Sequence, residues 1–208
     1  MSSTAEAPAE KKSRKQNVPP YLIKEWVNDI PVYYKGYRDV LQKIKTPEEI
    51  MADGILQAAI KFWLTLLVGN QLNRNKYWVF SGEVGSLIAP RKNASHDLVI
   101  IEKSKLPPGK VSNRYADVPA KVVLEIDTKV EYGDQLPVEQ YVQQKTQQTL
   151  DFGTEKVIWI FTATRKVMVA TPQADWIITD WTSTLEILDG VTFNLAEFIE
   201  QEGIVLES

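Results

Sequence analysis

Short, uninterrupted apolar runs constrain the fold of this chain more than any other feature. Residues 98–101 (LVII) and 122–126 (VVLEI) contain almost no polar side chain. Such runs are typical of strands that are covered on both faces of a sheet. A helix predicted over residues 137–152 and stopped by Gly153 separates the second run from a third at residues 157–161. The pattern predicts one α/β domain with a central mixed sheet flanked by helices.

Two further helices are predicted before this sheet. Leu22, Trp26 and Ile30 are spaced at four residues, which predicts a short amphipathic helix. Thr46 is a typical helix cap because a proline and two glutamates follow it. The apolar pattern after it predicts a single long helix that continues toward Leu72.

The spacing of apolar residues changes to that of strands from residue 77 onward. Residues 77–81 and 84–89 are predicted to form a hairpin joined around Gly82. Later strands are predicted over residues 157–161, 167–170, 176–179 and 185–188, and a last helix near Asn194.

The N-terminal segment differs in composition from the rest of the chain. Residues 1–18 contain Ser, Ala, Glu and Lys but almost nothing to bury, so they are predicted to be a disordered arm before a single domain over residues 19–208. This segment also lacks the apolar centre of a signal peptide. No apolar run reaches the roughly 18 residues of a membrane span. We therefore expect a cytoplasmic protein without a membrane partner.

Composition excludes several kinds of active site. The chain has no cysteine and one histidine, His96. Disulfides, thiolate catalysis and cysteine-based zinc sites are therefore excluded, and a Ser-His-Asp triad is disfavoured. A metal would have to be held mostly by oxygen atoms, which suits Mg²⁺ or Mn²⁺. The net charge of −3 neither requires nor forbids a nucleic-acid partner.

Two carboxylates interrupt the predicted buried strands. Asp97 opens the run at residues 98–101, and Glu125 stands inside the run at residues 122–126. A carboxylate in a buried strand is costly to desolvate unless it is paired or coordinates a cation. Two of them at adjacent strand ends would make a site for a divalent metal, which could activate a water and stabilise charge on a phosphate.

Three nearby polar residues have more than one interpretation. Asp127 shares a face with Glu125, so it is either a further metal ligand or an exposed strand end. Lys145 shares a helix face with Tyr141. It either neutralises charge on a phosphate or orients the attacking water, or it extends to solvent along a packed face. His96 either binds a phosphate or transfers a proton, or it is a polar loop residue.

These segments together resemble the Uma2 family. His96-Asp97 followed by LVIIEK resembles its PD-hydrophobic strand, and PAKVVLEIDT resembles its pPdLvvEvlS stretch, with Glu125 at the acid. Lys145 stands eight residues before Gly153, as in the K-x3-Y-x3-G spacing of the family. Departures from the pattern are His96 for a proline, Thr149 for a tyrosine and Tyr141 for an aspartate. Asp127 stands where the wider superfamily usually has lysine.

The resemblance implies the fold and the site of the PD-(D/E)XK nuclease superfamily. That fold is restriction-endonuclease-like, and its site uses Mg²⁺ or Mn²⁺ to cleave phosphodiesters. Metal binding would fall to Asp97 and Glu125, with help from the backbone carbonyl of Ile126, and Lys145 would take the part of the displaced motif lysine.

The leading functional hypothesis is a Mg²⁺-dependent endonuclease acting on DNA, for which a homodimer would suit cleavage of both strands. The alternative is a binding or regulatory module that keeps the fold without the chemistry, and RNA is a further substrate class. Basic residues on the loop after residue 102 would contact phosphates without reading sequence. They are Lys103, Lys105, Lys110 and Arg114.

Overall fold

The computed structural model describes residues 18–27, 30–89, 92–126, 130–131 and 137–206 of the chain. Most of the predicted arm, residues 1–17, lies outside the described residues, as does Asp127. Val18, the last residue of the predicted arm, packs against an apolar cluster that contains Leu22. At least this residue therefore belongs to the folded domain.

The described part of the chain contains five α-helices and eleven strands. The helices are α1 (Tyr37–Leu41), α2 (Pro47–Met51), α3 (Ile55–Gln71), α4 (Val138–Asp151) and α5 (Leu195–Gln201). The strands are β1 (Ile23–Val27), β2 (Ile30–Tyr34), β3 (Tyr77–Ala89), β4 (Lys92–Glu102), β5 (Val122–Ile126), β6 (Val130–Glu131), β7 (Lys156–Phe161), β8 (Lys166–Ala170), β9 (Ile177–Asp180), β10 (Leu185–Leu188) and β11 (Val191–Phe193).

The centre of the domain is a mixed sheet of six strands in the order β3-β4-β5-β7-β8-β9. Its strands pair antiparallel except β5 and β7, which run parallel because the chain returns through α4 between them. A small sheet has the order β1-β2-β6, and β10 pairs with β11. The predicted central mixed sheet flanked by helices is confirmed.

Both faces of the central sheet are covered by apolar clusters. Ile60 and Leu64 of α3 pack with Leu98 of β4 on one face, together with α5 and the β10-β11 pair. Tyr141 of α4 packs with Val99 of β4 on the other face, together with parts of β1 and β2. This double coverage explains why the strands are continuous apolar runs.

The helix predicted from Leu22, Trp26 and Ile30 is wrong. Leu22 ends a short 3₁₀ helix, Trp26 lies in β1 and Ile30 begins β2, which pairs antiparallel with β1. Trp26 is exposed, whereas Val27 and Val32 are buried in the cluster beside α4. Burial of the β1-β2 pair against that cluster therefore overrides the helical spacing of the apolar residues.

The long helix predicted after Thr46 is divided in two. The capping box is present, since the Thr46 backbone N–H donates to Glu49 Oε2 over 2.6 Å. However, α2 ends at Met51, and both Ala52 and Gly54 have extended backbones before α3 begins. Aspartate and glycine at positions 53 and 54 disfavour a helix interior, which accounts for the break.

The hairpin predicted around Gly82 is also wrong, because β3 runs through this residue without turning. Gly82 has a φ of +117°, a conformation that glycine adopts readily. It lies in a β-bulge rather than in a turn, and β3 pairs along its length with β4.

No described helix combines the length and the hydropathy that crossing a bilayer would require.

The two faces of α3 provide a test of this packing. Leu64 is fully buried, whereas Leu66 is 46% exposed on the same helix. Leu64→Ala should lower the free energy of unfolding by about 2–5 kcal/mol because it leaves a cavity. Leu66→Ala should lower it by less than about 1 kcal/mol. Urea unfolding of both variants measures the difference, and equal losses would contradict the assigned helix orientation.

Candidate active site

Asp97 and Glu125 are next to each other at one end of the β4-β5 pair. The last residues paired between these strands toward that end are Leu98 and Leu124. Asp97 and Glu125 are the next residues along each strand, and both side chains are buried. The structure therefore brings together the two carboxylates that the sequence singled out.

A bulge in β3 lies opposite Asp97. Ser81 pairs with Leu98 and Val84 pairs with His96, so two residues of β3 face Asp97 alone. Bulges re-aim side chains and are frequent beside functional sites. His96 and Asp97 are consecutive on β4 and both are buried, His96 beside Glu125 and Asp97 beside Lys61.

Glu125 is held by two neighbours. Its Oε1 lies 3.1 Å from Lys145 Nζ and 2.7 Å from His96 Nδ1. Burial alone would raise the pKa of the Glu125 carboxyl, but the Lys145 ammonium and the His96 hydrogen bond outweigh it and bring the pKa to about 2. Glu125 is therefore a carboxylate at neutral pH. His96 is a buried partner of this carboxylate and not a loop residue.

Lys145 points from α4 into the site and not to solvent. Its ammonium donates to the Ser95 carbonyl over 2.8 Å and also lies 3.4 Å from Glu25 Oε1. Burial would lower the pKa of Lys145, but the carboxylates of Glu125 and Glu25 outweigh it and raise the pKa above its usual value. The side chain therefore stays a cation, and the interpretation in which it extends to solvent is wrong.

Glu25 is a buried carboxylate that the sequence did not single out. It lies on β1 and accepts a hydrogen bond from the Tyr141 hydroxyl, one helical turn before Lys145 on α4. Together with Glu125 it places negative charge on two sides of the Lys145 ammonium. Glu25 was not predicted as a site residue because its segment was predicted to be a helix, whereas it forms strand β1, which lies beside α4.

Asp97 is bound on both of its oxygens. Oδ1 lies 2.6 Å from Lys61 Nζ, and Oδ2 accepts the Ile126 N–H over 2.8 Å. Burial raises the pKa of the Asp97 carboxyl and the charge of Glu125 raises it further, while Lys61 and the Ile126 N–H act in the opposite direction. The net shift of the Asp97 pKa is upward, so the ionised form of Asp97 is less stabilised by the fold than that of Glu125.

Helix α3 contributes two polar groups at one turn's spacing. Gln57 Nε2 donates to the Ile126 carbonyl over 2.7 Å, and Lys61 lies one turn later, beside Asp97. Lys61 also lies 2.9 Å from Asp53 Oδ2, in the break between α2 and α3. Gln57 and Lys61, two polar residues four apart in the otherwise apolar residues 55–64, were a signal that the sequence analysis missed.

The four predicted nucleic-acid contacts lie at different places along the β4-β5 connection. Lys103 and Lys105 follow the end of β4 that is remote from Asp97. Lys103 Nζ lies 4.0 Å from the centre of the Trp78 ring, and Lys105 Nζ lies 3.8 Å from Glu155 Oε1. Lys110 is exposed in a short 3₁₀ helix. The chain then returns along β3 toward the site, and Arg114 is exposed on that return.

The return is fixed by backbone hydrogen bonds between Ala116 and β3. The Ala116 N–H donates to the Gly85 carbonyl over 2.9 Å, and the Leu87 N–H donates to the Ala116 carbonyl over 2.8 Å. Gly85 pairs with Ser95, whose carbonyl accepts the Lys145 ammonium. Of the four predicted basic contacts, Arg114 is therefore on the segment that approaches the site.

The donor atoms of the site suit a hard divalent cation. The described part of the site contains the carboxylates of Glu25, Asp97 and Glu125 beside the ammonium groups of Lys61 and Lys145, and carboxylate oxygens are the ligands that hard divalent cations take. Within the described residues, no three His, Asp or Glu side chains are grouped closely enough to hold a metal by themselves. Asp97 and Glu125 would need a backbone oxygen or water to complete a coordination shell, as Mg²⁺ commonly has. The Ile126 carbonyl, predicted as that ligand, accepts a hydrogen bond from Gln57.

Comparison with solved structures identifies a protein with the same architecture. It is a crystal structure described as a candidate nuclease belonging to DUF820 from Anabaena variabilis ATCC 29413, with a TM-score of 0.62, 14% sequence identity, and coverage of 85% of this chain and 89% of that chain. The fold is nuclease-like. At this identity the likeness establishes the fold alone, in agreement with the predicted fold class. No family model and no curated protein matches the sequence.

The pKa of Glu125 predicts how stability depends on pH. Because this pKa is about 2 in the folded protein and 4.5 for an unperturbed glutamate, the ionised form stabilises the fold above pH 4.5 and this stabilisation is lost as the pH falls toward 2. Glu125→Gln should cost about 3 kcal/mol at pH 7 and make stability less dependent on pH between 4.5 and 2. Urea unfolding across this range in metal-free buffer measures both.

Asp97→Asn is the matched control because the pKa of Asp97 is shifted upward from 3.8. The wild-type carboxyl binds protons more tightly when folded, so its contribution falls as the pH rises above 3.8. The variant should therefore gain stability more steeply with rising pH than the wild type. If Glu125→Gln lost as much stability as the wild type between pH 4.5 and 2, the assigned ion pair would be contradicted.

Proposed function

We propose that the protein is a metal-dependent nuclease that hydrolyses DNA phosphodiester bonds. The observation that carries the proposal is the Lys145 ammonium 3.1 Å from the Glu125 carboxylate, with Asp97 at the adjacent position of β4 and close enough to influence both charges. These residues come from two strands and a helix, and their charges suit a metal and a phosphate together. The nuclease-like fold supports the same function.

Each residue has a distinct part in the proposed chemistry. Asp97 and Glu125 would hold Mg²⁺ or Mn²⁺, which when bound supplies a nucleophilic water and offsets the charge of the phosphate. Lys145 stays a cation, so its charge would offset negative charge on the phosphate and it would not act as a general base. Glu25 positions the lysine. His96 orients Glu125 through its ring nitrogen.

DNA is the proposed substrate because the site is matched to a phosphodiester and exposed basic side chains lie on the loop beside β3. Contacts to phosphates fix a duplex in place without reading its sequence. Arg114 is the first of the basic residues that we expect to contribute, followed by Lys110.

A second candidate function is a binding module without catalysis. The observation that favours it is that the site is already satisfied without a metal: Lys61 pairs with Asp97, Lys145 pairs with Glu125, and Gln57 occupies the Ile126 carbonyl. In that case Mn²⁺ would not raise the melting temperature. A nuclease instead requires a rise that Glu125→Gln abolishes.

Cleavage of supercoiled plasmid in Mg²⁺ or Mn²⁺ tests the catalytic proposal. Lys145→Met should lower the cleavage rate at least about a hundredfold, because it removes a fixed positive charge from the transition state. Asp97→Asn should lower it by a similar factor through loss of a metal ligand.

Lys166→Met is the matched control for these variants. Lys166 pairs with Asp180 between β8 and β9, at the edge of the sheet away from β4. Its cleavage rate should equal that of the wild type. Equal rates in the wild type, Lys145→Met and Asp97→Asn would show that any observed cleavage comes from elsewhere.

The salt dependence of DNA binding tests the basic loop separately from catalysis. Arg114→Ala should reduce the slope of log affinity against log salt by about 1, because one phosphate contact is lost. Lys105→Ala should leave the slope closer to that of the wild type, since Lys105 lies near Glu155 at the remote end of β4. Fluorescence anisotropy with a labelled duplex in EDTA measures both, and an unchanged slope for Arg114→Ala would remove this residue from the interface.

A further inference from the structure

Lys61 bridges two carboxylates at the edge of the site. Its ammonium lies 2.6 Å from Asp97 Oδ1 and 2.9 Å from Asp53 Oδ2. The proposed function needs Asp97 as a metal ligand but gives Lys61 no part. The structure therefore contains a cation on the acid that a metal would have to bind.

The ammonium and a metal ion would compete for Asp97. The other oxygen of this carboxylate already accepts the Ile126 N–H, so Oδ1 carries the principal contact with a cation. A Mg²⁺ ion binds carboxylate oxygen at about 2.0–2.1 Å, and an ammonium group beside the same oxygen would be repelled by it. Metal binding is therefore coupled to movement of the Lys61 head group.

Asp53 provides a place for the displaced ammonium. The Asp53 side chain is 29% exposed, whereas that of Asp97 is 11% exposed, and Lys61 contacts both from one rotamer. Because the lysine has a flexible four-carbon stem, its ammonium can leave Asp97 and remain with Asp53. Asp53 lies in the break between α2 and α3, and this break places its carboxylate beside the Lys61 ammonium.

We infer that Lys61 is an internal competitor of the divalent metal at Asp97, and that Asp53 receives it when the metal binds. This inference rests on the proposed metal-dependent function. In the metal-free protein, Lys61 offsets the charge of Asp97 beside Glu125. Its release then sets the concentration of metal at which the site fills.

Direct Mn²⁺ binding, measured by isothermal titration and by the electron paramagnetic resonance signal of free Mn²⁺, tests the inference without relying on activity. Lys61→Met keeps the apolar stem but removes the competitor, so Mn²⁺ should bind at least about tenfold more tightly, which is about 1.4 kcal/mol. Asp53→Asn should have the opposite effect and weaken Mn²⁺ binding by about two- to fivefold, because the ammonium loses its alternative partner.

Three further proteins make the result specific. Lys166→Met removes another lysine that is paired with an aspartate, and its Mn²⁺ affinity should equal that of the wild type. Asp97→Asn should abolish binding in both the wild-type and the Lys61→Met background. The opposite signs predicted for Lys61→Met and Asp53→Asn distinguish the inference from a general loss of folding.

The outcomes separate the inference from the proposed function. Wild-type binding that depends on Asp97 but is unchanged or weakened in Lys61→Met would overturn the competitor role and leave the nuclease proposal standing. Absence of Mn²⁺ binding in the wild type and in Lys61→Met would overturn the metal-dependent function, and the inference with it. Binding that appears only in Lys61→Met would support the inference in its strongest form.

Discussion

The buried ion pair between Lys145 and Glu125 is the interaction on which the rest of the site depends. Both side chains are nearly inaccessible to water, so neither charge would be tolerated there without the other. The pair joins α4 to the centre of the sheet, and Glu25 joins β1 to the same ammonium. A pair of this kind is rarely retained for stability, because apolar residues of similar volume often stabilise a core as well or better. Stability alone therefore does not explain the pair, and the proposed function gives it a chemical role.

The two lysines of the site differ in a way that suits two roles. Lys145 is enclosed by Glu125, Glu25 and the Ser95 carbonyl, and the rings of Tyr141 and Trp159 lie within 5.8 and 5.6 Å of its ammonium. It is a fixed charge. Lys61 contacts Asp97 and Asp53 at once, and we infer that metal binding leaves its ammonium with Asp53 alone. A fixed cation suits transition-state stabilisation, whereas a movable one suits control of metal occupancy.

Much of the fold and the core of the site could be predicted from the sequence because both depend on the same apolar runs. Residues 98–101 and 122–126 had to be covered strands, so Asp97 and Glu125 stood out as the carboxylates that burial does not explain. Lys145 required the Uma2 resemblance as well, because helix periodicity alone allows its ammonium to reach solvent. Contacts across the fold were not predictable in this way. Glu25 reaches the site through the β1-β2 pairing, and the break before α3 places Asp53 beside Lys61.

The central claim is that Asp97 and Glu125 hold one divalent ion while the Lys145 ammonium remains bound to Glu125. A crystal structure of the protein soaked in Mn²⁺, with anomalous data collected for manganese, tests it most directly. The account predicts one strong anomalous peak within coordination distance of both carboxylates, with Lys145 still donating to Glu125. A site without a peak at saturating Mn²⁺, or a Lys145 side chain turned toward solvent, would contradict it.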